Sequence, residues 1–144
     1  MTMLITRTHE ICCGHRVHGH EGKCRHLHGH NYVYKMTCQA ASGELDSVGR
    51  VIDFSQVKNL LCEWLETNWD HRFLVWENDP LKSHLLELDS SVVVVPFNPT
   101  AENIAQYFVE HVAPIQFEGT GIELVKLVLW ETGKCSATYI KELK

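Results

Sequence analysis

The chain has 144 residues, 44% hydrophobic and 22% charged, a length that suits one domain (1–144) with a core of its own. Its 13 Lys+Arg against 18 Asp+Glu leave a formal net charge of −5, which argues against nucleic acid or an anionic membrane as partner, since both need a basic footprint. No apolar run approaches the roughly 20 residues of a membrane span. The start, MTMLITRTHE, lacks the basic-then-apolar pattern of a secretion signal, so the expected location is cytoplasmic.

Residues Thr2–Cys12 mix β-branched and polar types and predict a strand. A Gly- and His-rich stretch follows, Gly14 to Gly29. Asn31–Gln39 then alternates Tyr32, Tyr34, Met36 and Cys38 with Val33, Lys35 and Thr37, the period of a strand with one wet face. Asp53 can cap a helix with Gln56 reaching back to it. The apolar stripe of that helix is Phe54, Val57, Leu60, Leu61, Trp64 and Leu65. The aromatic stretch Trp69–Trp76 closes at Asn78-Asp79-Pro80, and Leu81–Leu88 predicts a brief helix. Ser91–Val95 reads as a short strand stopped by Pro96. Thr100 is the expected N-cap of a second main helix with apolar face Ala101, Ile104, Ala105, Phe108, Val109 and Val112, ended by Pro114. Strands at Ile122–Trp130 and Ser136–Lys141 finish the chain. Two strands, two helices and two strands predict an α+β fold: a four-stranded antiparallel sheet with two helices on one face.

Seven of the ten histidines lie between His9 and His30. In His28-Gly29-His30, residues i and i+2 of a strand face one side, so both imidazoles can reach one ion. His15, across the hairpin, can supply a third nitrogen. Three neutral imidazoles and an open position are the catalytic arrangement for Zn²⁺, although nickel, copper or iron also accept such ligands. A lone H-x-H is more often incidental surface histidine, and His18-Gly19-His20 is a rival pair. Seven histidines around one hairpin are hard to explain as packing.

The six cysteines fit a reducing compartment better than a disulfide framework. Cys38, Cys62 and Cys135 lie in apolar, periodic segments and read as small core residues. Cys24 stands between Lys23 and Arg25, where positive neighbours favour a thiolate. An ordinary loop thiol is the competing account.

The run Cys24-Arg25-His26-Leu27-His28-Gly29-His30-Asn31-Tyr32 resembles the C-x-x-x-H-G-H motif of the 6-pyruvoyl-tetrahydropterin synthase family, in the form found in its 6-carboxy-5,6,7,8-tetrahydropterin synthases. The resemblance extends through I-C-C-G-H before the loop, V-I-D-F at Val51–Phe54, Asp70-His71, P-T-A-E-N at Pro99–Asn103 and W-E-T at Trp130–Thr132. It implies a tunnelling fold whose subunits join sheets into a β-barrel, commonly a hexamer with pockets between subunits. It also implies that His15, His28 and His30 hold zinc and that Cys24 is the catalytic thiolate. Asp70 and His71 would work with that thiolate, and Glu131 would anchor the pterin and join the proton relay. A substrate contact through Thr100 is a further expectation. Each has a plainer account: Asp70 as a turn cap, His71 packed among aromatics, Glu131 as a solvated turn residue, Thr100 as a helix cap.

The implied activity is a lyase converting 7,8-dihydroneopterin triphosphate to 6-carboxy-5,6,7,8-tetrahydropterin with loss of triphosphate and acetaldehyde, within queuosine (7-deazapurine) synthesis. The alternatives are the 6-pyruvoyl-tetrahydropterin synthase activity and a non-catalytic metal-binding protein. The three-residue spacing from Cys24 to His28 resembles the carboxy enzymes. Two departures stand out: Ile11-Cys12-Cys13-Gly14 replaces the usual F-x-A-A before His15, and Trp69 replaces a common leucine before Asp70-His71. The first raises the prospect of oxidative sensitivity at Cys12 and Cys13.

Overall fold

A computed structural model describes residues 2–141; Met1 and residues 142–144 of the expected domain lie outside the described residues. Six strands form one sheet: β1 (Ile5–His15), β2 (His28–Ala40), β3 (Arg72–Trp76), β4 (Val93–Val95), β5 (Ile122–Trp130) and β6 (Ser136–Ile140), in the order β4-β3-β1-β2-β5-β6. The β1–β2, β2–β5 and β5–β6 pairs are antiparallel, whereas β1–β3 and β3–β4 are parallel. The class is α+β, but the sheet is six-stranded and mixed, not four-stranded and antiparallel. The two extra strands are short, and parallel pairing joins segments far apart in the chain, which alternation along one segment cannot register.

The described helices are three: α1 over residues 54–68, α2 (Lys82–Leu88) and α3 over residues 101–116. Asp53 caps α1 by accepting from Ser55 N at 2.9 Å, and Thr100 caps α3 by accepting from Asn103 N at 3.1 Å. Each long helix widens into an i→i+5 turn midway, at Lys58–Cys62 and Phe108–Val112. Gln116 Nε2 of α3 donates to the Leu60 carbonyl inside the wide turn of α1, at 2.9 Å. Pro114 does not end the helix. It lies within the last α-helical segment, Ala113–Gln116, directly after the wide turn Phe108–Val112.

The apolar stripes meet the sheet much as their spacing implies. All six predicted face residues of α3 are buried, as are Val57, Leu61 and Leu65 of α1. Phe54, in the first turn of α1, is the exception at 52% exposed. Tyr32, Tyr34, Met36 and Cys38 all point from β2 into that core. Phe108 is fully buried, with its ring 5.5 Å from Tyr34 and 5.9 Å from Trp64. Cys38 and Cys62 are core residues, but Cys135 is exposed in the turn before β6, since that turn lies beyond the helical cover.

Phe108→Ala removes the ring on which both helices and β2 converge. It should lower the unfolding free energy in urea by about 3–5 kcal/mol. A loss below about 1 kcal/mol would show that Phe108 is not central to the core.

Candidate metal and active site

β1 runs to His15, three residues further than alternation predicts, and β2 starts at His28, so the two histidines are direct cross-strand partners. His30 follows on the same face of β2 and pairs with Cys13. Between them Gly14 pairs with Gly29, and a Cβ on Gly29 would sit 3.0 Å from the carbonyl oxygen of Cys13. A side chain at the glycine of the H-G-H motif would therefore crowd the β1 backbone where the two strands meet at the histidines.

The three rings are mutual neighbours, with centroids 4.5 Å (His15–His28), 4.9 Å (His28–His30) and 5.1 Å (His15–His30) apart. His15 Nδ1 bonds to the Pro99 carbonyl at 2.6 Å and His28 Nδ1 to the His26 carbonyl at 2.7 Å. A carbonyl only accepts, so both Nδ1 atoms carry a proton, and in the neutral ring Nε2 is then the nitrogen that presents a lone pair. Those two Nε2 atoms face each other at 3.0 Å. Two lone pairs this close are unfavourable unless a cation lies beside them. Among the described residues His30 Nε2 is buried without a hydrogen-bond partner, although it lies 2.7 Å from Glu131 Oε1. The contact is close, but its direction is not that of a hydrogen bond. Glu131 Oε1 is also 3.7 Å from His15 Nε2, and the donor atoms of all four residues lie within 4.8 Å of one another. This donor set fits a metal ion.

Electrostatics agree with that fit. Burial lowers the His15 pKa to about 4, with the His28 and His30 imidazoles pushing the same way against the Pro99 carbonyl. Burial likewise lowers His30, opposed by Glu131. Both rings are thus neutral near pH 7, the form that binds metal. Tyr32 lies beneath them, edge-on to His15 and His30 at 5.8 and 5.4 Å, and burial pushes its phenol well up.

Other candidate residues divide between places. Glu131 lines a cleft of about 600 Å³ with Glu10, Val33, Trp130 and Thr132, and His30 and Asn31 also border it. His71 lines a second cleft, of about 550 Å³, with Cys12, Cys13, His30 and Phe73. Asp70 and His71 do bend away from strand geometry. His71 has φ +59°, a conformation that holds strain in a residue with a Cβ. The pair is clamped to β1, with His71 N donating to the Cys12 carbonyl at 2.6 Å and Cys12 N to Asp70 Oδ1 at 2.9 Å. Asp70 Oδ2 then meets His71 Nδ1 at 2.8 Å. Burial raises the Asp70 carboxyl, but the Cys12 amide, His71 and Glu66 outweigh it and hold it below the usual range.

Cys24 is half-buried in the turn Lys23–Arg25, with its carbonyl accepting from Val17 N at 2.8 Å. It is absent from the walls of both clefts. Thr100 is absent from them too, and its hydroxyl serves the α3 cap. Cys12 is exposed and 3.1 Å from Asn31 Oδ1, while Cys13 is buried and its thiol is pushed up to about 12 by burial, so the two adjacent thiols are not equally open to oxidation.

Sequence reasoning missed the carbonyls of Pro99 and His26, which carry no residue-type signature. It missed the Asn98 side chain, whose Oδ1 accepts from His18 N while its Nδ2 donates to the His18 carbonyl. It also missed the buried pair Arg16–Asp79. The turn Asn78-Asp79-Pro80 was the available signal for Asp79.

The family model for 6-pyruvoyl tetrahydropterin synthase matches residues 4–142. The chain belongs to the 6-pyruvoyl tetrahydropterin synthase family. It is 35% identical over 132 residues to the 6-carboxy-5,6,7,8-tetrahydropterin synthase of Rickettsia felis, covering 90% of this chain and 94% of that protein. A protein of the same name from Aquifex aeolicus is 36% identical over 129 residues, covering 83% of this chain and 77% of its own length. Among solved structures, an uncharacterised protein of Wolinella succinogenes superposes with a TM-score of 0.84 at 27% identity, covering 99% of both chains. The 6-pyruvoyl tetrahydropterin synthase of Caenorhabditis elegans superposes with a TM-score of 0.70 at 25% identity, covering 99% of this chain and 97% of that one. The chain is accordingly an enzyme of lyase type within this family.

His28→Ala removes one of the two facing lone pairs. Metal analysis of the purified variant should show bound metal falling well below the parent stoichiometry. Full retention would exclude His28 from the ligand set.

Proposed function

We propose that the protein is a zinc-dependent lyase that converts 7,8-dihydroneopterin triphosphate and one water to 6-carboxy-5,6,7,8-tetrahydropterin, releasing triphosphate and acetaldehyde, in queuosine biosynthesis. The observation that carries this reading is the convergence of His15, His28 and His30 Nε2 atoms with Glu131 at one end of the sheet. Similarity to the Rickettsia felis and Aquifex aeolicus proteins supports the choice of the carboxy product. One domain spanning the chain and a cytoplasmic location accompany the reading, and the six free thiols suit a reducing compartment.

His15, His28 and His30 hold the ion, with the Pro99 and His26 carbonyls keeping two of the rings in the ligand tautomer. When bound, zinc supplies Lewis acidity toward the side-chain oxygens of the substrate. Glu131 stands in a cleft walled by Trp130 and Val33, a setting suited to a flat heteroaromatic ring. Its carboxylate can accept from a ring N–H and an adjacent amino group of a pterin together. Cys24, in the turn Lys23–Arg25 and acting as thiolate, accepts and returns the proton on the substrate side chain. Asp70 holds His71 through Nδ1, which leaves His71 Nε2 free to exchange a proton.

Cys24 does not line the cleft of His71 within one chain. We therefore include in the proposal a homo-oligomer, a hexamer by the family resemblance, in which one subunit brings Asp70-His71 to the Cys24 of another. Each end of the sheet leaves a strand with one free edge, β4 and β6, which suits assembly.

Incubation with 7,8-dihydroneopterin triphosphate should yield the 6-carboxy product by mass spectrometry. A 6-pyruvoyl product would assign the sister activity instead, and no turnover by the metal-loaded protein would leave a metal-binding protein. Cys24→Ala should keep its metal while kcat falls about 10²–10⁴-fold. An active variant would remove the thiolate from the chemistry.

A further inference from the structure

Arg16 directly follows His15 and is drawn out of solvent, its side chain only 13% exposed. Its guanidinium has three partners among the described residues. Nε donates to Asp79 Oδ2 at 2.6 Å, Nη1 to the Arg25 carbonyl at 3.2 Å and Nη2 to His18 Nδ1 at 3.0 Å. The Asp79 side chain is completely buried. It is also built into the turn after β3: Oδ1 accepts from Leu81 N at 2.8 Å, and its own N–H donates to the Trp76 carbonyl at 2.9 Å. Because β3 pairs with β1 at Cys13–His15, the anion is fixed to the strand that ends at His15.

At its other end the guanidinium reaches the turn that carries Cys24. The Arg25 carbonyl is held by Arg16, and the Cys24 carbonyl accepts from Val17 N at 2.8 Å. Two consecutive residues after His15 thus tether two consecutive residues of the Cys24 turn. A buried ion pair is weak evidence for stability, since desolvation offsets much of the attraction, and an apolar pair could fill the same space. An apolar pair could not bind three segments through one rigid planar fork. The arrangement is better explained by placement than by stability.

We propose that the Arg16–Asp79 pair is a positioning element that holds the Cys24 turn in register with His15 and His28. The inference rests on the reading of Cys24 as the proton carrier. A thiol displaced by about 1 Å from its working position can lose about 10²-fold in rate, so the pair acts on chemistry without touching substrate.

The test uses the full-length, zinc-loaded protein with Arg16→Lys and, separately, Asp79→Asn. Lysine keeps the charge but loses the fork. Asparagine keeps the shape and the acceptor for Leu81 N but loses the charge-assisted bond. Metal content is measured together with the iodoacetamide labelling rate of Cys24, mapped by peptide mass spectrometry against exposed Cys135 as internal reference. kcat and KM are determined separately. Both variants should keep parental metal content and change the relative labelling of Cys24 about threefold or more. Their kcat should fall about 10–100-fold, with KM within about twofold of the parent. Unchanged labelling and kcat would overturn the proposal, as would loss of metal along with turnover, since the pair would then serve the histidines and not the thiol. Unchanged labelling beside an inactive Cys24→Ala would sink this proposal alone. Altered labelling beside an active Cys24→Ala would sink the proton-carrier reading, and the catalytic value of the positioning with it.

Discussion

His15 and His28 turn unprotonated nitrogens toward each other at 3.0 Å, and each is held in that state by a backbone carbonyl behind it. Two like dipoles in a half-buried setting are tolerable only beside a positive charge, and this constraint organises the end of the molecule that carries it. The α3 start is placed so that the Pro99 carbonyl reaches His15, and the hairpin bends so that the His26 carbonyl reaches His28. Gly29 lets β1 and β2 close between the rings, and Gly14 leaves room for the Phe73 ring of β3. Glu131 arrives just past the end of β5 and adds one carboxylate oxygen to the three imidazole nitrogens.

The same face of β2 continues from this polar cluster into the core. His28 and His30 lie on one line with Tyr32, Tyr34, Met36 and Cys38, so the side chains that bind the helices also support the histidines. Burial has opposite signs on the two kinds of group: it depresses His15 and raises Tyr32. Both effects favour the neutral form. His15 is therefore a neutral donor resting on an apolar floor.

Asp70-His71 reaches this region by a different route. The chain leaves α1, adopts a left-handed conformation at His71 and enters β3 beside β1. Strain of about 1–3 kcal/mol at such a residue persists only where surrounding bonds impose it, and here the Cys12 amide and carbonyl do so. The bend lets both adjacent side chains meet, which strand geometry would forbid. Arg16 and Asp79 make a parallel use of the other end of the β1–β3 pairing, linking the turn after β3 to the loop of Cys24.

Much of this was legible in local pattern. The alternation of Tyr32 to Cys38, the helical stripe from Ala101 to Val112, the Asp53 and Thr100 caps and the His28-Gly29-His30 spacing depend on neighbours within a few residues, and strand and helix periods translate them directly into faces. The tertiary structure decided the rest. Parallel pairing of β1 with β3, the use of the Pro99 and His26 carbonyls, the approach of Glu131 to His30 and the burial of Asp79 all join residues distant in the chain. The exposure of Cys135 depends on where the helical cover stops. Residue type specifies what a side chain can bond to, but only the packed chain specifies which partner stands within reach and how much water is left around it.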